Sequence, residues 1–386
     1  MKKLQLIFIF VAMILTLGMN PKFQLGDERT DFYLPMLEGK RIALFSNQSG
    51  VDRSKKHILD KLVENRIDVR LIFSPEHGFR GNADAGESVS SSIDSKTGIP
   101  IVSLYGSQLD SCDFDQFDIL VVDIQDVGTR FFTYYITMKN LMNSCGLNNK
   151  TVMILDRPNP NGSYVDGFIL RDGFYSGVGA LPIPTVHGMT LGELALMING
   201  EHWIDNPPAL IVIPCENYSH QDRFELLTNP SPNLKSMHAI YLYPSLCYFE
   251  GTIVSLGRGT DFPFEIYGHP WMNGYDFSFT PQSMSGAKNP PLQNQLCYGR
   301  DLRNISDDLI LSGGINLEYV IDAYKRLGAP DNFFLDGGKF FDLLNGTSKV
   351  REMIIDGKSA WEIKHSWIED VEYFKSIRQK YLLYEE

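Results

Sequence analysis

The chain has 386 residues, enough to bury a large core and, on average, to form two domains. Its formal net charge of −12 and sequence pI of about 5.2 exclude a nucleic-acid partner, because no basic run could neutralise a phosphate backbone. The five cysteines are odd in number and lack the spacing of a metal site, so we expect buried thiols with at most one disulfide.

Residues 1–20 have the composition of an export signal. Two lysines precede an almost unbroken apolar run, which is shorter than a typical membrane-spanning helix. The run ends at the polar residue Asn20. We therefore predict a signal peptide over 1–20, a periplasmic or extracellular location with the periplasm preferred, and no stable membrane anchor after processing. An uncleaved N-terminal anchor is the alternative.

Strands and helices alternate along the next two hundred residues. Short apolar segments predict strands at 41–46, 69–73, 101–104, 119–122, 152–155 and 210–213, and helical spacing predicts helices at 56–65, 138–143 and 191–199. Alternation of this kind predicts an α/β fold, a Rossmann-like parallel sheet with helices on both faces. We assign residues 26–270 to this domain.

The last third, residues 271–386, predicts a smaller α+β auxiliary domain. A connector rich in Ser, Pro and Gly covers 281–291, and a helix is predicted over 317–326. Near the end, apolar residues follow helical spacing, and we interpret them as core: Trp361, Ile363, Trp367, Val371, Phe374 and Ile377.

Three predicted strands run directly into ionisable residues. Because the carboxyl ends of parallel strands line one crevice, we expect these three groups to converge there. Any one of them could instead be a helix cap or a turn former. The groups are Glu76, His77 and Arg80 after the second strand, Asp123, Asp126 and Arg130 after the fourth, and Asp156, Arg157 and Asn159 after the fifth.

Common cofactor and nucleophile motifs are missing from the sequence. We find no G-x-G-x-x-G after the first strand, no P-loop, no H-E-x-x-H and no G-x-S-x-G, so we predict neither a cofactor nor a metal ion. What remains is carboxylate chemistry. Paired acids with nearby arginines and aromatic rings favour glycoside hydrolysis.

More candidates lie beyond the strand-end groups. Glu250 follows an aromatic run and Arg258 stands between two glycines, although Glu250 could simply be the structural partner of a buried arginine. His187 precedes a helix whose start at Thr190 has Glu193 at the capping-box position, and it could be only a loop histidine.

Five segments resemble the exo-β-N-acetylmuramidases, the NamZ-type glycoside hydrolases. The resemblance covers nearly all of the chain after the leader, with one departure at Ile253, where the family usually has Asn. It implies release of terminal, non-reducing N-acetylmuramic acid from peptidoglycan fragments, so the partners are saccharides that contain muramic acid. The segments are SPEHGFRG (74–81), DIQDVGTRFFTYY (123–135), LDRPNPNG (155–162), PTVHGMTLGELA (184–195) and FEGTIVSLGRGTDFPFE (249–265).

Given this resemblance, we assign roles to the candidates. Glu76 is our general acid, and Glu250, Asp123 and Asp126 compete for the second catalytic role. Carboxyl groups about 5 to 5.5 Å apart imply retention of configuration and about 6.5 to 9.5 Å inversion. An arginine should bind the lactyl carboxylate of muramic acid. The substrate-binding candidates are His77, Arg80, Arg130, Tyr135, Asp156, Arg157, Asn159, His187, Arg258 and Thr260.

Two other classes of protein fit the same residues. A non-catalytic protein that binds peptidoglycan or sugars would need the arginines and aromatic rings but no general acid. A metal-dependent hydrolase of esters or phosphates would need Asp123, Asp126 and His77 to hold an ion.

Overall fold

The computed structural model describes residues 23–75, 79, 92–104, 109 and 112–386. Its larger sheet has seven strands in the order β3-β4-β2-β1-β5-β6-β7, where the strands are β1 (Arg41–Ser46), β2 (Asp68–Ser74), β3 (Ser92–Ile93), β4 (Pro100–Ser103), β5 (Ile119–Asp123), β6 (Thr151–Leu155) and β7 (Ala209–Ile213). The six predicted strands are confirmed to within one or two residues at each end. The short edge strand β3 was not predicted.

Neighbouring strands of this sheet are parallel, except that β3 runs antiparallel to β4. Ile42 of β1 is paired with Ile119 of β5, and Ile154 of β6 with Val212 of β7. Branched residues on both faces of these strands are typical of a parallel sheet that is covered on both sides. The predicted fold class is confirmed.

Helices cover both faces of the sheet. On one face Ile42 and Leu44 pack with α1 and α2, and on the other Ala43 and Phe45 pack with α3 and α4. This alternation follows from the period of two along a strand. The helices are α1 (Thr30–Leu37), α2 (Ile58–Glu64), α3 (Tyr134–Leu147) and α4 (Leu191–Gly200).

The second part of the chain combines helices with a small antiparallel sheet. Its strands are β8 (Ile266–His269), β9 (Phe277–Phe279) and β10 (Cys297–Asp301), in the order β8-β10-β9. The predicted domain boundary at 270 falls inside this sheet, because β8 is paired with β10. The helices are α5 (Met237–Leu246), α6 (Asp307–Gly313), α7 (Glu318–Arg326), α8 (Lys339–Asn345), α9 (Lys349–Ile355), α10 (Ala360–His365) and α11 (Ile368–Arg378).

The C-terminal helical pattern differs from our expectation in one respect. The residues of this pattern belong to α10 and α11 and to the link between them. Of the two tryptophans only Trp367 is buried, and its indole N–H donates to Asp166 Oδ1 at 2.7 Å. Trp361 is 69% exposed and stacks on His365. The core interpretation of Trp361 was therefore wrong, because helical spacing does not show which face of a short helix is covered.

No disulfide joins any of the five cysteines, all of which lie in the described part of the chain, and four of them are buried. The predicted leader lies outside the described residues. In the part of the chain that is described, no helix has the length and apolar character required to cross a membrane.

Candidate active site

The order of the strands places a crevice between β1 and β5. From β1 the chain continues outward through β2 and β4 on one side of the sheet, and then through β5, β6 and β7 on the other. Ligands of open α/β sheets bind where the strand order reverses in this way. The loops at 47–50 and 124–130 border this point.

Asn47 and Ser49 hold these two loops together. The Asn47 amide donates to the Tyr134 hydroxyl at 2.9 Å, and its Oδ1 accepts from the backbone N–H and the hydroxyl of Ser49 at 2.9 and 2.5 Å. The Ser49 hydroxyl accepts in turn from the backbone N–H of Gln125 at 2.9 Å. The sequence analysis missed these residues, although a polar turn directly after a buried strand was their signal.

Asp123 and Arg157 lie at the ends of β5 and β6 and form a buried bidentate ion pair. Arg157 Nε and Nη2 donate to the two carboxylate oxygens at 2.5 and 2.9 Å, and Nη1 donates to the Val51 carbonyl at 3.0 Å. Asp27 lies 3.5 Å from the same guanidinium. Since Asp123 is 0% exposed and both its oxygens are engaged, the structure gives this pair a structural role, in place of the catalytic and substrate-binding roles that we predicted.

Asp126 lies in a different environment in the same loop. Its Oδ1 accepts from the Gly128 N–H at 2.7 Å, whereas Oδ2 has no hydrogen-bond partner in the described structure. Burial raises the pKa of Asp126 to about 7. A carboxyl group that keeps its proton up to neutral pH suits a general acid better than a nucleophile.

Asp126 should therefore make stability depend on pH. Its raised pKa contributes stability that is fully present below pH 4 and is lost as the pH rises to about 7, on the order of 4 kcal/mol in total. Asp126→Asn lacks this titration. We expect its melting temperature, relative to that of the unaltered protein, to rise between pH 4 and 7. Parallel curves of melting temperature against pH would contradict the raised pKa.

The acid and arginine predicted beyond the sixth strand lie together. Arg258 Nε and Nη2 both donate to Glu250 Oε1, at 3.0 and 2.5 Å, and the guanidinium lies 5.1 Å from the centre of the Phe264 ring. The two side chains are 25% and 21% exposed. Arg258 therefore holds the Glu250 carboxylate in a position that a ligand can reach.

Local backbone geometry explains how this pair forms. Glu250 belongs to the 3-10 helix Cys247–Gly251, which continues directly from α5. Arg258 stands between Gly257 and Gly259, whose φ values are 87° and 81°. Such positive φ values favour glycine, and they allow the tight turn that brings Arg258 back to Glu250.

A cavity of about 490 Å³ opens beside the pair, within the range of small-molecule sites. Its polar lining consists of Glu250, Arg258, His269 and Asn332, together with the Thr252 side chain. Its apolar lining consists of Phe249, Ile253, Val254, Leu256, Trp271, Pro291, Leu292, Leu335 and Phe340. Because it contains both an acid and an arginine that we predicted, we take it as the candidate active site.

The sequence analysis did not single out His269, Trp271 or Asn332. They come from β8, from the turn after it and from the segment before α8, so only the tertiary fold brings them to Glu250. The departure at Ile253 also lies in this lining.

Packed aromatic rings connect the cavity to the crevice. The Phe264 ring under Arg258 is 4.9 Å from the Tyr243 ring, which is 6.2 Å from Phe132, and Phe132 is 4.6 Å from Tyr134, the partner of Asn47. A series of contacts between buried rings thus runs from the residues behind the cavity to the residues behind the crevice.

Glu76, His77 and Arg80 lie outside the described residues. The strand before them, β2, ends at Ser74. Its carboxyl end lies on the same side of the sheet as the carboxyl end of β5, where Asp123 is. In the strand order β2 is two positions from β5, which corresponds to about 10 Å between strand ends.

Arg130 and Tyr135 lie in the interior. The Arg130 guanidinium donates to the carbonyls of Phe168 and Ile183 at 2.7 Å and to that of Leu344 at 3.0 Å. The Tyr135 hydroxyl accepts from a backbone N–H. Both residues are 0% exposed, so we assign Arg130 to packing between the two parts of the chain and Tyr135 to packing within the first part, and neither to substrate binding.

Asp156 is also structural. Its carboxylate accepts from the Thr190 hydroxyl at 2.7 Å, the Gly192 N–H at 2.8 Å and the Tyr384 hydroxyl at 2.6 Å, while its carbonyl accepts from the Gly26 N–H. Burial raises the pKa of Asp156 to about 6. Both terminal segments of the described chain therefore meet at the end of β6.

Three further candidates have local partners. Asn159 Nδ2 donates to the Met189 carbonyl at 2.9 Å, and Thr260 closes a turn by donating to the Gly257 carbonyl at 2.7 Å. His187 is buried, and burial lowers its pKa to about 3, so it stays neutral at ordinary pH. The capping box predicted at Thr190 after it is confirmed.

Within the described ranges, no group of three or more His, Cys, Asp and Glu side chains could hold a metal ion.

Two solved structures share this architecture. Both are DUF1343 family proteins of Bacteroides fragilis NCTC 9343. One is 56% identical with a TM-score of 0.88, covering 95% of this chain and 99% of its own. The other is 28% identical with a TM-score of 0.81, covering 94% and 99%. Fold and sequence thus place the chain in this class of two-part α/β proteins.

Sequence comparison identifies the family. The N-terminal model of the exo-β-N-acetylmuramidase NamZ matches residues 42–238, and the C-terminal model matches residues 241–384. The peptidoglycan β-N-acetylmuramidase NamZ of Bacillus subtilis (strain 168) is 38% identical over 385 residues, which cover 95% of this chain and 92% of that protein. The chain belongs to the NamZ family of exo-β-N-acetylmuramidases.

Proposed function

We propose that this chain releases terminal, non-reducing N-acetylmuramic acid from peptidoglycan fragments in the cavity beside Glu250. The activity is that of its family and of its Bacillus subtilis relative. The observation that supports the location is the Glu250–Arg258 pair, a partly exposed carboxylate held by an arginine in a cavity large enough for a sugar.

In this proposal two carboxyl groups share the reaction. Glu250, with its charge fixed by Arg258, stabilises or attacks the oxocarbenium-like centre of the sugar. Glu76, in the segment after β2, protonates the leaving oxygen. Asp126 is the alternative acid, because its raised pKa keeps it protonated up to about pH 7.

Arg258 is also our choice for the lactyl carboxylate among the arginines with described positions. The Arg130 guanidinium donates to backbone carbonyls, and the Arg157 guanidinium forms an ion pair with Asp123. Arg258 lines the cavity, and its Nη1 donates to none of the described residues. Arg80 is the fourth candidate, outside the described residues.

The direct test is incubation with a disaccharide of N-acetylmuramic acid and N-acetylglucosamine, with both monosaccharides as the expected products. Glu76→Gln should lose most of this release, by roughly 10²- to 10⁴-fold. Retained turnover in Glu76→Gln would contradict its role as the acid. Binding without products would favour a sugar-binding protein, and loss of release in chelator would favour a metal-dependent hydrolase.

We also propose that the chain is exported to the periplasm and that residues 1–20 are removed. The support is the sequence of this segment, two lysines followed by an apolar run. The mass of the protein recovered from a periplasmic fraction tests both points, since an intact leader or a cytoplasmic location would contradict them.

A further inference from the structure

Trp271 is a large aromatic residue at the edge of the active-site cavity. Its side chain is 69% exposed and lines the cavity. The backbone N–H of Trp271 donates to His269 Nδ1 at 3.2 Å, and the Trp271 and His269 rings meet edge to face with their centroids 5.0 Å apart. Met272 beside it is fully buried and anchors the turn. The fold therefore holds an exposed indole in place.

Exposure changes systematically across the cavity lining. Phe249, Val254 and His269 are 5% exposed or less and form its inner part. The Glu250–Arg258 pair is intermediate, with side chains about a quarter to a fifth exposed. Trp271 is 69% exposed, far more than any of these residues. Trp271 thus lies on the solvent side of the acid.

An exo-acting glycosidase cleaves between a terminal sugar inside its cavity and a leaving group nearer the solvent. If the cleaved bond lies at Glu250, the leaving-group sugar comes to the rim, where Trp271 is. The apolar face of a pyranose ring covers an indole well, and a tryptophan already held in place loses little conformational entropy on binding.

We propose that Trp271 binds the leaving-group sugar, an N-acetylhexosamine, by contact with its apolar face. This inference rests on the proposed function and adds a second sugar position to it. Trp271 would hold the leaving group in line with Glu250, so that a disaccharide or a longer fragment binds better than N-acetylmuramic acid alone.

The test is Trp271→Ala, assayed with the disaccharide and with each product as an inhibitor. We expect KM to rise about tenfold with little change in kcat, which corresponds to a typical aromatic contact. Inhibition by N-acetylglucosamine should weaken by a similar factor, while inhibition by N-acetylmuramic acid stays the same. Trp271→Phe should retain most of the affinity.

Trp361→Ala is the matched control. Trp361 is also 69% exposed but lines a different hollow, with Lys364 and Gly314, so its removal should change none of these constants. An unchanged KM and unchanged N-acetylglucosamine inhibition in Trp271→Ala would overturn the inference. Equal weakening of both product inhibitions would also overturn it, because it would place Trp271 at the terminal sugar.

Failure of the proposed function gives a different result. It would appear as a lack of turnover in the unaltered protein. The inference is then decided by calorimetric titration with N-acetylglucosamine, and equal affinity for the unaltered protein and Trp271→Ala overturns it.

Discussion

Glu250→Gln is expected to lower turnover of the disaccharide by roughly 10²- to 10⁴-fold, because a neutral amide can neither attack the anomeric carbon nor stabilise its positive charge. The change preserves shape, and the amide oxygen can still accept from Arg258, so folding should be unaffected. Initial-rate measurement of released N-acetylmuramic acid gives the effect.

Glu318→Gln is the control for this substitution. Glu318 is an exposed acid in the same part of the chain and lines another hollow, so its loss should leave the rate unchanged. Near-normal turnover in Glu250→Gln would remove Glu250 from the mechanism and would leave Asp126 as the described acid to test. The anomer formed first would show whether configuration is retained or inverted.

Arg157→Met is expected to lower the free energy of unfolding by about 3 to 5 kcal/mol at neutral pH. The substitution leaves Asp123 buried without its bidentate partner, and Asp27 keeps only Lys61, at 3.1 Å. Denaturant unfolding monitored by circular dichroism measures the change.

Arg70→Met serves as the comparison. Arg70 forms an ion pair with Asp68 at the surface, where its side chain is 54% exposed, and such pairs contribute about 0 to 1 kcal/mol. Equal losses in the two variants would mean that burial adds nothing to the Asp123–Arg157 pair.

The strands of the large sheet could be predicted because each is a short apolar run with polar turns on both sides. The prediction that 138–143 falls in a helix is confirmed, and α3 extends beyond this range at both ends, from Tyr134 to Leu147. The aromatic residues that open it bury their rings in the core, and this packing outweighs their modest helix propensity.

Site roles were harder to predict from the sequence. Asp123, Asp126 and Asp156 share one sequence feature, an acid at or just after the end of a strand, but their hydrogen-bond partners in the structure differ. The Asp123 carboxylate pairs with Arg157, and the Asp156 carboxylate accepts a hydrogen bond from Tyr384. Among the described residues, Asp126 Oδ2 has no hydrogen-bond partner. A sequence shows that an acid is present, but not which distant side chain will neutralise it.

The Glu250–Arg258 pair was more accessible to prediction. The two residues are eight apart, and the glycines around Arg258 indicate a tight turn. The cavity beside them could not be predicted, because His269, Trp271 and Asn332 reach it only through long-range packing.

The meeting of Gly26 and Tyr384 at Asp156 has a consequence for biosynthesis. Asp156, at the end of β6, accepts hydrogen bonds from Gly26 and Tyr384, two residues that are far apart in the sequence. A nascent chain therefore cannot complete the hydrogen bonds of Asp156 until Tyr384 has left the ribosome.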